Sequence, residues 1–522
     1  MTSKQWTLIA AVFGSGIVFL DSTIVNVALP KMGQQLPATL VGVLEGQSYV
    51  YNGYLLTLSA LLILAGALTD FHGRRRMFML GLAGFGLMSI LCGLATSMEV
   101  LVVCRILQGA AGAFLVPGSL SLITATFAGE EQARAFGVWA GASAGTTILG
   151  PFIGGILVDT LSWRMAFLIN VPLVCFALWV TVRHVQESRD EAASGAFDWL
   201  GAIVVALAVG GLSFGAIYGQ QREWRDPLAF VALAIGAAAT IAFPLLMARS
   251  PHPLVPLQLF RSRNFTVTNL STFVIYGALY VTFYYLPLFT QGTLGYTASA
   301  VGLATIPGTL LLVLFSSRFG SLAGRYGPRW FMAVGPAIMA LGVLWLVRVP
   351  ASSAGWVFVP NAPSSYVPPH SYLVDFLPGF LIFGAGLMIM VAPLTTALMT
   401  SVPVQNSGVA SAINNAISRV GPQLVGAGIF VAITATFYAG LAMRVPGLDV
   451  SSSTLRRAIA PLNRPADTVP PDLAAAAREG SAEAFHLAMK ISVALLLSGA
   501  IINAVGIRPQ QAHTPGKPTR KS

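Results

Sequence analysis

Residues 6–28, WTLIAAVFGSGIVFLDSTIVNVA, carry a single charge, Asp21. A hydrocarbon core takes about 20 helical residues to cross, so this run is long enough to span a bilayer. An ionised acid at that depth costs roughly 2.5–3.5 kcal/mol on insertion scales, which marks Asp21 as a functional residue rather than a packing choice.

Working outward, comparable runs recur at about 47–69, 77–97, 100–127, 135–158, 165–182, 199–219, 227–247, 266–290, 296–317, 330–347, 376–400, 408–438 and 491–507, fourteen in all. The chain is 55% hydrophobic and 9% charged, against about 25% charged in a soluble domain. Lipid gives unpaired backbone groups no water, so spanning segments are helices or a closed barrel. The runs lack the period-two alternation of barrel strands. The expectation is an all-α integral membrane protein with about 14 transmembrane helices.

An even number of spans puts both termini on one side. That side holds seventeen of the thirty Lys and Arg residues, the other ten, and three (Arg105, Arg419 and Lys490) fall within spans. The positive-inside rule then makes both termini cytoplasmic in a multi-pass cytoplasmic-membrane protein. The net charge of +11 is read as topology: its positives are scattered singly over loops, which argues against a nucleic-acid partner. Cys92, Cys104 and Cys175 lie in spans without metal-ligand spacing and read as buried hydrophobes. The first run has no basic region beyond Lys4 and no small-residue cleavage site before Asp21, so it reads as a retained span. No Walker loop, zinc motif, Gly-x-Ser-x-Gly elbow or catalytic carboxylate pair occurs, which argues against an enzyme and against a metal or other cofactor.

Three connections are long: 183–198, the Pro/Ser-rich 349–375, and 439–484. In the last, five arginines balance five acids, and it reads as a small external cap or hairpin, the alternative being a flexible loop. The tail 508–522 has no apolar content and is expected to be disordered.

An internal repeat is visible. GALTDFHGRRR at 66–76 returns as GSLAGRYGPRW at 320–330, keeping Gly66/Gly320, Gly73/Gly327 and Arg75/Arg329 in register. Gly137, Gly150 and Pro151 are echoed at the same spacing by Gly408, Gly421 and Pro422. Duplicated halves are how secondary transporters build a two-sided machine around a midplane site.

The first copy of the loop suits a conformational latch. Gly66 and Gly73 allow close backbone approach, Asp70 can cap the next helix or pair with Arg74, and Arg74, Arg75 and Arg76 hold the loop in the cytoplasm. In LVVCRILQGAAGA at 101–113, Arg105 sits inside a span and precedes the small residues Gly109 and Gly112. Counting from the outer ends places Asp21 and Arg105 at similar depth. Beside an arginine, a buried acid has opposing influences on its proton affinity, as a proton-coupled carrier requires; the alternative is a static pair fixing helix register. Arg419 has no obvious intramembrane acid, and snorkelling, facing a cavity and holding an anion are its alternatives. GVWAGASAGTTILGPFIGG at 137–155 packs glycines along one span, with Gly150-Pro151 and Gly154-Gly155 giving a pliable interface between halves. Tyr276, Tyr280, Phe283, Tyr284 and Tyr285 on span nine suit flat or cationic ligands, or a membrane-interface belt.

Together these motifs resemble the major facilitator superfamily, and within it the fourteen-spanner drug:proton antiporter family. LDSTIVNVALP at 20–30 resembles that family's first-span signature, GALTDFHGRRR the superfamily's loop motif, LVVCRILQGAAGA the span-four motif whose arginine is implicated in proton transfer, and GPFIGG the end of the antiporter motif. SWRMAFLINVP at 162–172, FDWLG at 197–201 and YYLPLFTQGTLGYTASAVGL at 284–303 fit the same family. Phe71, Gly324 and Thr146 depart from its pattern.

The resemblance implies a six-helix bundle over 1–185, an inserted helix pair over 186–248, and a second six-helix bundle over 249–507 around a central cavity. It implies a monomer driven by the proton gradient that exports lipophilic, including cationic, small molecules, with Asp21 and Arg105 coupling the proton. Cavity candidates are Asn26, Tyr54, Gln108, Tyr276, Tyr280, Tyr284, Asn414 and Arg419. Rival readings are a dedicated exporter of one endogenous metabolite, antibiotic or lipid, and a non-transporting membrane sensor or scaffold. A periplasmic adaptor docking on the external loop is left open as a partner.

Overall fold

The structure, a computed structural model, describes residues 2–37, 43–189, 197–221, 224–251, 253–359, 362–466 and 468–508. Among these the regular structure is helical: α1 Ser3–Gln35, α2 Val43–His72, α3 Arg74–Gly93, α4 Met98–Gly112, α5 Leu115–Thr126, α6 Gly129–Thr160, α7 Met165–Leu168, α8 Asn170–His184, α9 Trp199–Gln221, α10 Pro227–Arg249, α11 Arg263–Leu288, α12 Ala298–Tyr326, α13 Arg329–Leu346, α14 Leu377–Thr400, α15 Ser407–Arg444, α16 Ser453–Ala458 and α17 Pro471–Gly506. Thirteen segments among the described residues are long and apolar enough to cross a membrane. The fifth apolar run, which is not one of those thirteen, is the 32-residue α6.

Helix starts follow the local chemistry. Thr2 and Gln5 close a reciprocal capping box on α1, Ser97 caps α4, and Ser262 and Thr297 cap α11 and α12. The fourth run is two helices rather than one. Pro117 has no N–H to give the Ala113 carbonyl, and the chain breaks between α4 and α5 there.

One end of the molecule gathers the start of α1, where Lys4 donates to Glu131 at 2.7 Å, with the end of α12, where Ser321 donates to Glu130 at 2.9 Å. The start of α13 joins the end of α17 there, Arg329 donating to the Ala504 carbonyl at 2.9 Å through Nε. Both ends of the described chain therefore lie on this one face, here called the terminal face. The hydrogen bond and charge of Lys4 lower the Glu131 carboxyl's proton affinity, though so exposed a pair adds little stability.

Helices α1–α8 pack into one half and α11–α17 into the other, meeting along α2–α15 and α6–α12. α9 lies against α2 and α15, and α10 packs on α9. α10 presents Leu228, Phe230, Ile235, Ile241 and Leu245 outward, a surface suited to lipid.

Three expectations change. The last helix starts at Pro471, not near 491, and the preceding one runs to Arg444. The connection read as 439–484 shrinks to 445–470 with α16 inside it, because LAAAAREGSAEAF is polar enough to escape a hydropathy search yet rich in good helix formers. Cys175 is exposed, unlike Cys92 and Cys104. The tail expected to be disordered lies, from 509 on, outside the described residues.

Candidate functional site

Within the N-terminal half, α1, α3, α4 and α8 each send one or two polar side chains to a single point. Asp21 on α1 and Arg105 on α4 are both 0% exposed, and Arg105 Nη1 donates to Asp21 Oδ2 at 2.6 Å. The other carboxylate oxygen accepts from Asn170 Nδ2 on α8 at 2.9 Å and from Gln108 Nε2 on α4 at 3.3 Å. Ser89 on α3 accepts from both amides. Gln108 sits one helical turn from Arg105 and takes a second bond from Nη1 at 2.8 Å.

Arg105 has further partners. Its Nε donates to the Val50 carbonyl at 3.2 Å, and its guanidinium lies 4.0 Å over the Tyr54 ring and 5.6 Å over that of Phe167. Arg105 Nη2 and Asn170 Oδ1 are buried without a hydrogen-bond partner among the described residues. A buried pair that is bonded on most of its edges resists casual breaking, since removing one charge strands the other at a cost of about 3–5 kcal/mol.

The second constellation closes the terminal face between the halves. Asp70 Oδ1 accepts from Arg74 Nη2 at 3.1 Å, and Arg74 Nη2 donates onward to the Val404 carbonyl at 2.6 Å and to Ser407 Oγ at 3.2 Å. Asp70 Oδ2 accepts the Val409 N–H at 3.1 Å, so the acid sits on the positive start of α15. Ser121 bridges Asp70 and Ser407. The cap on α3 comes from elsewhere: Glu187 takes the Arg75 and Arg76 N–H groups at 3.0 and 3.1 Å. Asp70 is thus committed to the latch and does not cap the next helix.

The repeats interlock crosswise. A Cβ on Gly66 would stand 2.5 Å from the Gly408 carbonyl oxygen, and one on Gly320 would stand 2.5 Å from the Ala133 carbonyl oxygen and 3.3 Å from Gly137 Cα. Gly66 and Gly320 therefore each meet the partner half's echo glycine, or its immediate surroundings. Gly73 and Gly327 both turn at positive φ, +109° and +84°, where a side chain is strained. Arg75 and Arg329 likewise both donate to carbonyls at the end of their half's last helix, those of Val182 and Ala504.

Between the halves lies a cavity of about 390 Å³, walled by α1, α2, α5, α6, α11, α12, α14 and α15. Trp139 and Tyr276 supply aromatic wall; Asn414, Asn415, Ser418 and Arg419 supply a polar strip on α15. Among the described residues no cluster of three or more His, Cys, Asp or Glu side chains is placed to hold a metal ion.

The sequence matches the family model described as "Major Facilitator Superfamily" over residues 11–427. The chain belongs to the Major Facilitator Superfamily. It is a transporter, not an enzyme. It is 32% identical to the multidrug resistance protein Stp of Mycobacterium tuberculosis (strain CDC 1551 / Oshkosh), over 98% of this chain and 93% of that protein. It is 31% identical to the tetracenomycin C resistance and export protein of Streptomyces glaucescens, over 81% of this chain and 75% of the relative. Among solved structures it is similar to the proton:xylose symporter XylE, with a TM-score of 0.56 at 14% identity over 95% of this chain and 94% of that one; the likeness is one of fold.

Within this superfamily fold, Tyr276, Asn414 and Arg419 line the central cavity. Tyr54 and Gln108, expected there, belong instead to the buried cluster around Arg105. Tyr280 stacks on Tyr284 with centroids 5.5 Å apart, and neither lines the cavity; Tyr284 is 46% exposed. The antiporter-motif glycines divide their work: Gly137 faces α12, whereas Gly150 and Gly154 press on Thr23 and Ile24 of α1. The side chains of Asn26 and Pro151, and the surroundings of Gly155, lie outside the described set. Asn170 and Ser89 escaped the sequence reading. Their signal was there to see, a polar side chain inside an apolar run, but it is shared by many packing serines and asparagines.

Proposed function

We propose that this transporter exports lipophilic small molecules across the cytoplasmic membrane by alternating access, exchanging each for a proton carried by Asp21. The relatives' names, a multidrug resistance protein and an antibiotic resistance and export protein, support drug export. The terminal face, which carries Arg74, Arg75 and Arg76, is the cytoplasmic one. With its latch shut, the conformation corresponds to a stage of the cycle in which the cavity is closed to the cytoplasm.

The observation that carries proton coupling is the fully buried Asp21–Arg105 pair at 2.6 Å. Protonation of Asp21 from outside removes the charge that holds Arg105. The guanidinium then keeps Gln108 Oε1, the Val50 carbonyl and the Tyr54 face, so α1 and α4 separate at lower cost than a bare buried cation would allow. As the halves rock and the terminal face opens, Asp21 meets the cytoplasmic pH and releases its proton while substrate loads. No cofactor takes part; the proton gradient is the energy source.

Asp21→Asn in sealed vesicles tests this. The variant is expected to insert normally and to exchange labelled substrate between two equal pools, yet to lose uphill export driven by a pH gradient. Uphill export at the wild-type level would remove Asp21 from the coupling step.

A further inference from the structure

Among the described residues, the central cavity carries an unopposed positive charge. Arg419, 12 residues into α15 and so roughly 18 Å from the start of that helix, lines the cavity. It makes no ion pair or hydrogen bond with any described residue. No acidic side chain occurs among the described lining residues. Between Arg263 and Arg444 the sequence holds one acid, Asp375, which lies before the start of α14 and accepts from Ser353. In the N-terminal half, Asp21 is bound to Arg105 and Asp70 to Arg74 and the start of α15.

From this charge pattern we infer that the exported molecules are lipophilic organic anions whose carboxylate, phenolate or sulfonate pairs with Arg419. The inference rests on the exporter reading above and narrows its substrate class. A guanidinium in a cavity lined by apolar and neutral polar side chains favours a planar oxyanion, which it meets with two parallel N–H donors. Asn414, Asn415 and Ser418 lie along the same helix as neutral polar groups, and Trp139 and Tyr276 give an aromatic body something flat to pack on. A permanent cation would meet Arg419 with no acid among the described lining residues. Of the span-nine tyrosines that would suit a cationic ligand, Tyr276 alone lines the cavity.

The test is equilibrium binding of three matched probes to the full-length protein in lipid nanodiscs without any gradient: anthracene-2-carboxylate, anthracene-2-carboxamide and an anthracene bearing a trimethylammonium group. The carboxylate is expected to bind about tenfold or more tightly than the amide, and the ammonium most weakly. Arg419→Gln should erase the preference, and Arg419→Lys should keep part of it. Equal binding of carboxylate and amide by the wild type, or tighter binding of the ammonium, overturns the inference even if Arg419→Gln does not fold. A carboxylate preference that survives in Arg419→Gln overturns it too. Drug efflux from cells is measured separately: efflux without the preference sinks this inference alone, and the preference without efflux sinks only the exporter reading.

Discussion

At the scale of single residues, the carboxylate of Asp21 is held in place by neighbours that bear no charge. Asn170 and Gln108 both donate to Asp21 Oδ1, and a hydrogen bond to a charged group contributes about 1.5–3 kcal/mol. Asn170→Leu removes the closer donor and leaves the Arg105 contact in place, so it is expected to lower uphill export in sealed vesicles about tenfold while exchange of labelled substrate between equal pools falls less. An equal loss of both activities would make Asn170 a packing residue only. Ser89 accepts from the same two amides, so Ser89→Ala should give a smaller loss in the same direction.

At the scale of helices, closure of the terminal face depends on glycine contacts that have no room for a side chain. Gly66 on α2 lies against the Gly408 backbone of α15, and Gly137 on α6 against Ser316 and Ser317 of α12. If the halves move as rigid bodies, a wedge at one contact should open the other. Gly66→Val is expected to abolish disulfide trapping of a Glu130→Cys/Ser321→Cys pair, whose native side chains are 2.9 Å apart, in a Cys175→Ser background. Unimpaired trapping would show that α2–α15 and α6–α12 open independently. Much of this scale was legible in the sequence: runs of apolar residues gave the spans, and the paired motifs gave the correspondences Gly66/Gly320 and Gly137/Gly408. What similarity between repeats could not give is contact. It says which positions are equivalent, whereas the fold places Gly66 against Gly408 and Gly320 beside Gly137. Capping of α3 by Glu187 was hidden for a related reason, since 112 residues separate that acid from Arg75. Hydropathy likewise stopped short at α17, where the helix continues on alanine-rich polar turns beyond the apolar part.

At the scale of the whole molecule, the charge of the cargo decides which part of the proton gradient drives export. One proton entering as one neutral molecule leaves moves one charge. An exported monovalent cation cancels that movement, and an exported monovalent anion doubles it. A potential of about 100 mV contributes roughly 2.3 kcal/mol per charge, so potential alone would sustain a gradient of roughly fiftyfold for a neutral drug, none for a cation, and roughly two-thousandfold for an anion. The mechanism proposed for Asp21 and the cavity charge of Arg419 together predict the last case. In proteoliposomes with equal pH on both sides, a valinomycin-set potassium diffusion potential, negative on the cytoplasmic face, should drive strong accumulation of anthracene-2-carboxylate on the other side. Because the anion alone would follow a potential through any leak, the decisive comparison is with Asp21→Asn. Arrested turnover predicts no uphill response there, whereas proton-free passage through a uniport pore predicts a roughly fiftyfold limit. A wild-type gradient no larger than that single-charge limit would separate anion movement from proton entry and leave Asp21 outside the transport stoichiometry.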